Sequence, residues 1–316
     1  MKILITGGAG FIGSHITRQL LEKGEEVVVY DNYSTTKQPT LDETNLTTKD
    51  QRLTTIAGDI KDAKLLTESL KGVDAVIHMA SFLAVEESVK NPLKYLDNNV
   101  MGAGTLLTCM REAGVKKIIF SSSATVYGNP KSLPIGEDAP LDAANPYGAT
   151  KIAIEALCQS FHKTDGFDTT ILRYFNPYGP GEDHQPEVHA IPNFIKAGLE
   201  HTAIPLYWKG EQERDFIYIE DLAAAHVAVL PLSGYNVFNV STGQGTKVID
   251  VVNKLSDIFG YKLEIEDKGN RSGDVMATYA SNQKLKEATD WEIKTSLDKG
   301  LAQTVEWFKQ KENNKA

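Results

Sequence analysis

Met1-Lys-Ile-Leu-Ile-Thr6-Gly-Gly-Ala-Gly-Phe-Ile-Gly13 opens the chain. Residues 2–6 form a short apolar run of the kind that fills a buried strand, and after the break at Thr6-Gly7-Gly8 a helical period runs across 11–23. Glycines at 8, 10 and 13 suit the turn between the two. They permit a tight reversal, let backbone N–H groups approach a ligand, and seat the helix N-terminus close behind the strand. Downstream, apolar runs at 27–30, 53–57, 75–79, 117–121 and 169–173 alternate with amphipathic segments, clearest at 93–113 and 147–162, the latter opened by Pro146 as its first residue. This alternation is that of an α/β fold built on a doubly wound parallel sheet, with 237–240 as a seventh strand.

Beyond Asn176 the pattern loosens, because Pro177, Gly179, Pro180 and Gly181 break the chain and shorter pieces follow. The expected division is therefore a first domain over 1–175, to which a strand and helix at about 215–245 return, and a smaller mixed α/β lobe made mainly of 176–316. The polar stretch 38–50 reads as a surface loop, and the tail 309–316 is expected to fray.

The 316 residues carry 41% hydrophobic and 24% charged side chains, which is globular composition, and a net charge of −9 argues against a broad phosphate-binding face for DNA or RNA. Cys109 and Cys158 are the only cysteines and belong to no Cys-x-x-Cys or Cys/His cluster. A disulfide framework and a zinc site are not expected, and cysteine usage of this kind fits the cytoplasm. His184 and His189 flank Pro186 without a carboxylate cluster at ligand spacing, so no metal is assigned. No apolar run approaches the ~20 residues of a membrane span, so no membrane partner is expected.

Strand, Gly8-x-Gly10-x-x-Gly13 and helix together give the context in which a dinucleotide pyrophosphate binds, a Rossmann arrangement. Asp31 ends the second strand 18 residues after Gly13, where a carboxylate accepts from ribose hydroxyls and repels a 2′-phosphate. This favours NAD over NADP. Asp59, after the third strand, can receive the adenine amino group or serve as an ordinary turn or N-cap residue.

Tyr147 and Lys151 stand four residues apart on one helical face, where an ammonium can stabilise a phenolate. A tyrosine with its usual pKa of about 10 is a poor base at neutral pH, so it needs positive charge nearby. Lys151 and an oxidised nicotinamide can both supply it. Ser121-Ser122-Ser123 ends a strand at the sheet edge where ligands gather, and Ser123 is placed to orient the hydroxyl whose proton Tyr147 would take. His78 lies inside an apolar strand and reads as a core or supporting histidine rather than as a base.

These stretches resemble the extended short-chain dehydrogenase/reductase family, and within it the NAD-dependent UDP-sugar 4-epimerases of the UDP-glucose 4-epimerase kind. The resemblance is carried by Thr6–Gly13, Asp31-Asn32, Gly58-Asp59-Ile60, His78-Met-Ala-Ser81, Asp97-Asn98-Asn99-Val100, Ser121-Ser-Ser-Ala-Thr-Val-Tyr-Gly128, Asn145-Pro-Tyr-Gly-Ala-Thr-Lys151, Arg173-Tyr-Phe-Asn176, Arg214-Asp-Phe216 and Arg271-Ser-Gly-Asp274. It implies an NAD site lined by Gly7, Gly10, Phe11, Ile12, Gly13, Asp31, Asn32, Asp59, Ile60, Ala80, Asn98, Tyr147, Lys151 and Phe175. It also implies catalysis by Ser123, Tyr147 and Lys151, with a UDP-sugar held by Ser123, Asn176, Tyr207, Arg214, Arg271, Asp274 and Thr278. Two guanidinium forks, at Arg214 and Arg271, suit a diphosphate.

Relatives that dehydrate nucleotide sugars carry an Asp-Glu pair directly after the active-site Ser or Thr; here those positions are Ala124 and Thr125. Elimination then lacks its proton shuttle, and the implied reaction is epimerisation at C4 of a UDP-hexose through a 4-keto intermediate. A dehydratase or reductase of nucleotide sugars is the alternative. The chain departs from the family pattern in three places. Leu83 stands where some hexose epimerases have a Lys near the cofactor, Trp208 replaces a common Gly after the uracil-bordering residue, and Thr278 replaces a bulky Tyr of some relatives, which would leave room for an N-acetylated sugar. The helices near 93–111 and 147–162 are apolar on more than one face, and the family's helical interface implies a homodimer.

Overall fold

A computed structural model of the chain describes residues 1–35, 50–183, 189–270 and 275–314. The stretch 38–50, apart from Asp50, and His184, Arg271 and Asp274 lie outside the described residues. The chain divides into two compact units, one of Met1–Asn129, Asp138–Tyr174 and Ala223–Phe238, the other of Pro130–Glu137, Phe175–Leu222 and Asn239–Ala316.

A seven-stranded sheet organises the first unit. Its strands are β1 (Lys2–Thr6), β2 (Glu26–Asp31), β3 (Leu53–Ala57), β4 (Ala75–His78), β5 (Lys117–Ser123), β6 (Asp168–Tyr174) and β7 (Tyr235–Val240), in the order β7-β6-β5-β4-β1-β2-β3. From β3 across to β6 every pairing is parallel. The order reverses between β1 and β4, which places the switch point, and so the favoured ligand crevice, at the C-terminal ends of those strands. The central strands are apolar on both faces because helices cover both: Ile3, Leu4, Ile5, Val28, Val29, Val76, Ile77, Ile118 and Ile119 are all buried. On one face Leu4, Val28, Tyr30, Val76, Ile118, Phe120 and Ile171 pack with Leu66, Leu106, Met110, Ile154 and Cys158. On the other face the helix Phe11–Glu22 lies against β1 and β2. The β3 edge strand exposes Thr54, Thr55 and Ala57, as a strand with only one neighbour can.

Three elements differ from their sequence expectation. The strand expected over 117–121 runs on to Ser123, in register with β6 as far as Tyr174. The helix expected as one piece over 93–113 is an α-helical turn at Pro92–Tyr95, a π-helical stretch at Leu96–Met101 and an α-helix at Gly102–Ala113 closed by Gly114 in the left-handed region. The helix Pro146–Asp165 runs three residues past its expected end; Asn145 caps it by accepting from the Gly148 N–H at 2.9 Å, and Pro146 fills its first turn.

The second unit is made of short strand pairs and three mutually packed helices, Ala190–Glu200, Val248–Phe259 and Leu297–Asn313. One small sheet sets Glu213–Arg214 between Thr246–Lys247 and Ala277–Thr278. The expected fraying of 309–316 is corrected as far as the chain is described: Phe308 is buried and holds the final helix through Asn313.

Candidate active site

The glycine turn is shaped by close approaches that leave no room for a side chain. Gly7 has φ +71°, and a Cβ there would lie 2.8 Å from the Ala80 nitrogen; at Gly13 it would lie 2.5 Å from the Gly7 carbonyl oxygen and 2.7 Å from the Gly8 Cα. Both contacts are with backbone, so they cannot yield. The first turn of the helix Phe11–Glu22 has no side-chain cap and no acidic residue, so its N–H groups and positive dipole end suit an anion. Gly10 is its N-cap, Phe11 is buried and Ile12 half-buried.

Asp31 is buried at the end of β2, where its carboxylate accepts from the Ala9 N–H at 3.0 Å and the Tyr33 N–H at 2.8 Å. It thus ties the glycine turn to the second strand. Burial pushes its pKa up, against the pull of those two N–H groups. Asn32 donates to Asp59 at 3.2 Å, which sets these residues together beyond β2 and β3. The second Asp59 oxygen accepts from the Lys61 N–H at 2.9 Å, a turn contact, whereas the N-cap of the next helix is Asp62. Ile60 is buried, close enough to Gly102 that a Cβ there would meet it at 2.3 Å.

Thr6 closes the switch point. Its hydroxyl is bonded to His78 Nδ1 at 2.7 Å and accepts from the Met79 and Ala80 N–H groups at 3.2 and 3.3 Å. His78 stacks on Phe120 at 5.7 Å, and burial lowers its pKa to about 3, which keeps it neutral and unsuited to act as a base. The π-helical stretch carries Asn98 and Asn99. Asn98 donates to the Asn99 side chain at 3.0 Å, while fully buried Asn99 accepts from the Phe82 N–H at 2.9 Å and donates to Phe82 O and to Thr150 Oγ1. Thr150 in turn donates to the Tyr147 carbonyl at 2.7 Å. Asn99 and Thr150, not assigned a role from the sequence, thereby hold the loop after β4 to the helix that bears Tyr147 and Lys151. The signal available was an amide sharing the apolar stripe of a helix.

Ser123, Tyr147 and Lys151 are brought together at the C-terminal edge of β5. Ser123 is hydrogen-bonded to the Tyr147 side chain and accepts from Thr125 Oγ1 at 3.0 Å. Lys151 is 3% exposed and donates to the Ser121 carbonyl at 2.8 Å, with its Nζ 5.6 Å from the Tyr147 ring centre and 5.0 Å from that of Phe120. Burial raises the Tyr147 pKa to about 12, outweighing the Ser123 bond, and lowers that of Lys151 to about 7, outweighing the charge of Glu155. Lys151 is therefore a weaker phenolate stabiliser than its helical spacing suggested, and further positive charge is needed to ionise Tyr147 near neutral pH.

In the second unit, Phe175 is buried, and Asn176 donates from both backbone and side chain to the Asp215 carbonyl at 2.9 and 3.0 Å. Thr278 stands directly across from Arg214 in the three-stranded sheet, and the Asp215 N–H donates to the Thr278 carbonyl at 3.1 Å. Asn176, Arg214 and Thr278 thus gather around one residue. Tyr207 is 38% exposed and precedes a turn in which Trp208 and Lys209 both have positive φ, at +51° and +53°. Among the described residues no group of three or more His, Cys, Asp or Glu could hold a metal ion.

Residues 3–241 match the NAD dependent epimerase/dehydratase family. The chain belongs to that family. A UDP-glucose 4-epimerase of Lactobacillus helveticus is 36% identical over 98% of this chain and 97% of its own. Among solved structures, the UDP-glucose 4-epimerase of Bifidobacterium longum in complex with NAD+ and UDP is 34% identical with a TM-score of 0.92, covering 99% of both chains. The UDP-N-acetylglucosamine 4-epimerase of Methanobrevibacter ruminantium M1, in complex with UDP-N-acetylmuramic acid, is 33% identical with a TM-score of 0.92 over 98% of both. This family member thus shares its whole described fold with 4-epimerases.

Proposed function

We propose that the protein is an NAD-dependent epimerase acting at C4 of a UDP-hexose, UDP-glucose or UDP-galactose, through a transient 4-keto intermediate. The observation that carries this reading is the Ser123/Tyr147/Lys151 cluster at the sheet edge, followed by Ala124 and Thr125 in place of an acid–base pair. Likeness to the 4-epimerases named above supports it, and nothing in the site favours a dehydratase.

The glycine cradle fits a dinucleotide: its backbone approaches exclude side chains and its helix end lacks a cap. NAD, when bound there, supplies a hydride acceptor and positive charge. Gly7, Gly10, Gly13, Phe11 and Ile12 would hold the pyrophosphate, Asp31, Asn32, Asp59 and Ile60 the adenosine end, and Ala80, Asn98 and Phe175 the remainder. Tyr147 takes the proton from the sugar 4-hydroxyl and returns it to the ketone oxygen, while Ser123 orients that oxygen. Lys151 stabilises the phenolate. Asn176, Tyr207, Arg214, Arg271 and Asp274 would bind the nucleotide, with Thr278 bordering the sugar.

Product chromatography with UDP-glucose and UDP-galactose, their N-acetyl forms and UDP-glucuronate tests the reading. Interconversion of the first pair is expected, whereas a keto product or a demand for stoichiometric reduced nicotinamide would overturn it. We further infer a homodimer, supported by the exposure of Val89, Leu93, Leu96 and Met101 along one helical region, and a cytoplasmic setting, supported by two buried free cysteines. No described helix is long and apolar enough to cross a membrane.

A further inference from the structure

Beneath the candidate base lies a buried ion pair that the proposed chemistry does not use. Glu155 and Arg173 are each 5% exposed in their side chains; Arg173 grips the carboxylate through Nε at 3.0 Å and an Nη at 2.7 Å. Further bonds hold each partner. Ser122 donates to Glu155 at 2.5 Å, and Arg173 donates to the Tyr127 hydroxyl at 2.9 Å, its guanidinium 5.0 Å from that ring. A buried pair of this kind needs a reason beyond stability, because well-packed apolar residues commonly serve as well or better.

Its position supplies one. Glu155 is one helical turn after Lys151 and two after Tyr147, on the same face of Pro146–Asp165. Its partner Ser122 stands between Ser121, whose carbonyl receives the Lys151 ammonium, and Ser123, which meets Tyr147. Arg173 lies directly across from Ser122 in the neighbouring strand.

We propose that Glu155, clamped by Arg173, is a positioning residue for the Tyr147–Lys151 base: it locks the helix in register on the serine triplet and places a negative charge beside the Lys151 ammonium. Without that carboxylate, Lys151 sheds its proton more readily and the phenolate loses its counter-charge. The other groups that face Lys151 do not replace it. On its own helix Tyr147 is neutral until it acts; from β4 His78 is neutral; from β5 come the Ser121 carbonyl, Ser123 and the Phe120 ring; from β6 Tyr174 is held protonated by burial and Arg173 directs its guanidinium at Glu155 and Tyr127. Glu155 is the negative charge among them, and it acts to keep Lys151 protonated.

The role assumes the base assigned above, so the test pairs a measurement that needs turnover with one that does not. In full-length, NAD-loaded protein carrying 13Cε-labelled lysine, the titration midpoint of Lys151 is followed by NMR in the wild type and in Glu155→Gln. The midpoint is expected to fall by about one pH unit. The alkaline limb of the kcat/KM profile for UDP-glucose should move down with it, leaving the rate at lower pH nearly intact. A purely structural role would depress the rate at every pH and leave the limb in place. The double variant Glu155→Gln with Arg173→Met leaves no orphan charge and serves if the single variant does not fold; its midpoint should also lie below wild type, because Glu155 rather than Arg173 acts on Lys151. An unchanged midpoint in whichever variant folds overturns the proposal. A wild type that titrates as expected but does not turn over UDP-sugars would overturn the function and leave the positioning intact.

Discussion

Tyr147 carries a hydroxyl that burial keeps protonated, held by Ser123 in a place where added positive charge is needed to ionise it. Tyr147→Phe deletes the proton acceptor and keeps the wall of the pocket, so turnover should fall by about 10²–10⁴ while bound NAD, read after denaturation, is retained. Near wild-type turnover would remove Tyr147 from the mechanism. His78 makes a second prediction. A histidine whose pKa is lowered to about 3 in the folded chain and is about 6.5 when unfolded stabilises the fold fully above pH 6.5, and that contribution drains away as pH falls toward 3. His78→Gln keeps a partner for Thr6, and its urea-unfolding free energy should decline less between pH 7 and 5 than that of the wild type; parallel declines would contradict the assignment. Thr278 concerns substrate range. If its small side chain admits an acetamido group, Thr278→Tyr should cost activity on UDP-N-acetylgalactosamine more than on UDP-galactose in side-by-side assays. A wild type with no N-acetyl turnover at all would show that Thr278 confers no such breadth.

Capping at the element scale is testable on the helix that carries the base. Asn145→Ala removes the side-chain acceptor for the Gly148 N–H and should lower stability by about 1 kcal/mol, seen as an earlier denaturant midpoint with an unchanged slope. An unaltered midpoint would mean that the cap is replaced by another acceptor. Much of this level could be read from the chain before its structure. Apolar runs bounded by glycine or charge located the central strands because both faces are covered, and Pro146 after Asn145 marked the helix start. What escaped the reading has specific physical causes. Ser122 and Ser123 continue β5 with their hydroxyls bonded to Glu155, Thr125 and Tyr147, and of these Glu155 and Tyr147 lie far along the chain. The π-helical stretch was invisible because a wider turn leaves the apolar spacing on either side almost unchanged, although it is what points Asn99 at Phe82 and Thr150. Glu155 does not stand out in the sequence because a glutamate on a helix is usually solvated, and only the arriving guanidinium of Arg173 makes its burial tolerable.

Across the whole molecule, the candidate cofactor residues were the more legible group, since short motifs fall on successive strand ends of one sheet. The candidate substrate residues were less so: Asn176, Arg214 and Thr278 meet around Asp215 through strands of two or three residues, too short to show a period. Assembly is the prediction proper to this scale. Leu93 and Met101 are 76% and 62% exposed, and Leu93→Asp with Met101→Asp should convert a sedimenting dimer to a species of one chain's mass. A wild type that sediments as a single chain at micromolar concentration would refute the dimer. The seventh strand has a further consequence, which concerns time. Tyr235–Val240 flanks Asp168–Tyr174 in the sheet, yet some sixty residues, most of them the second unit's Phe175–Leu222, are made between them. The ribosome therefore delivers the nucleotide-binding half without its last strand, and the edge of β6 must wait, unpaired on that side, until well over two thirds of the polypeptide has emerged.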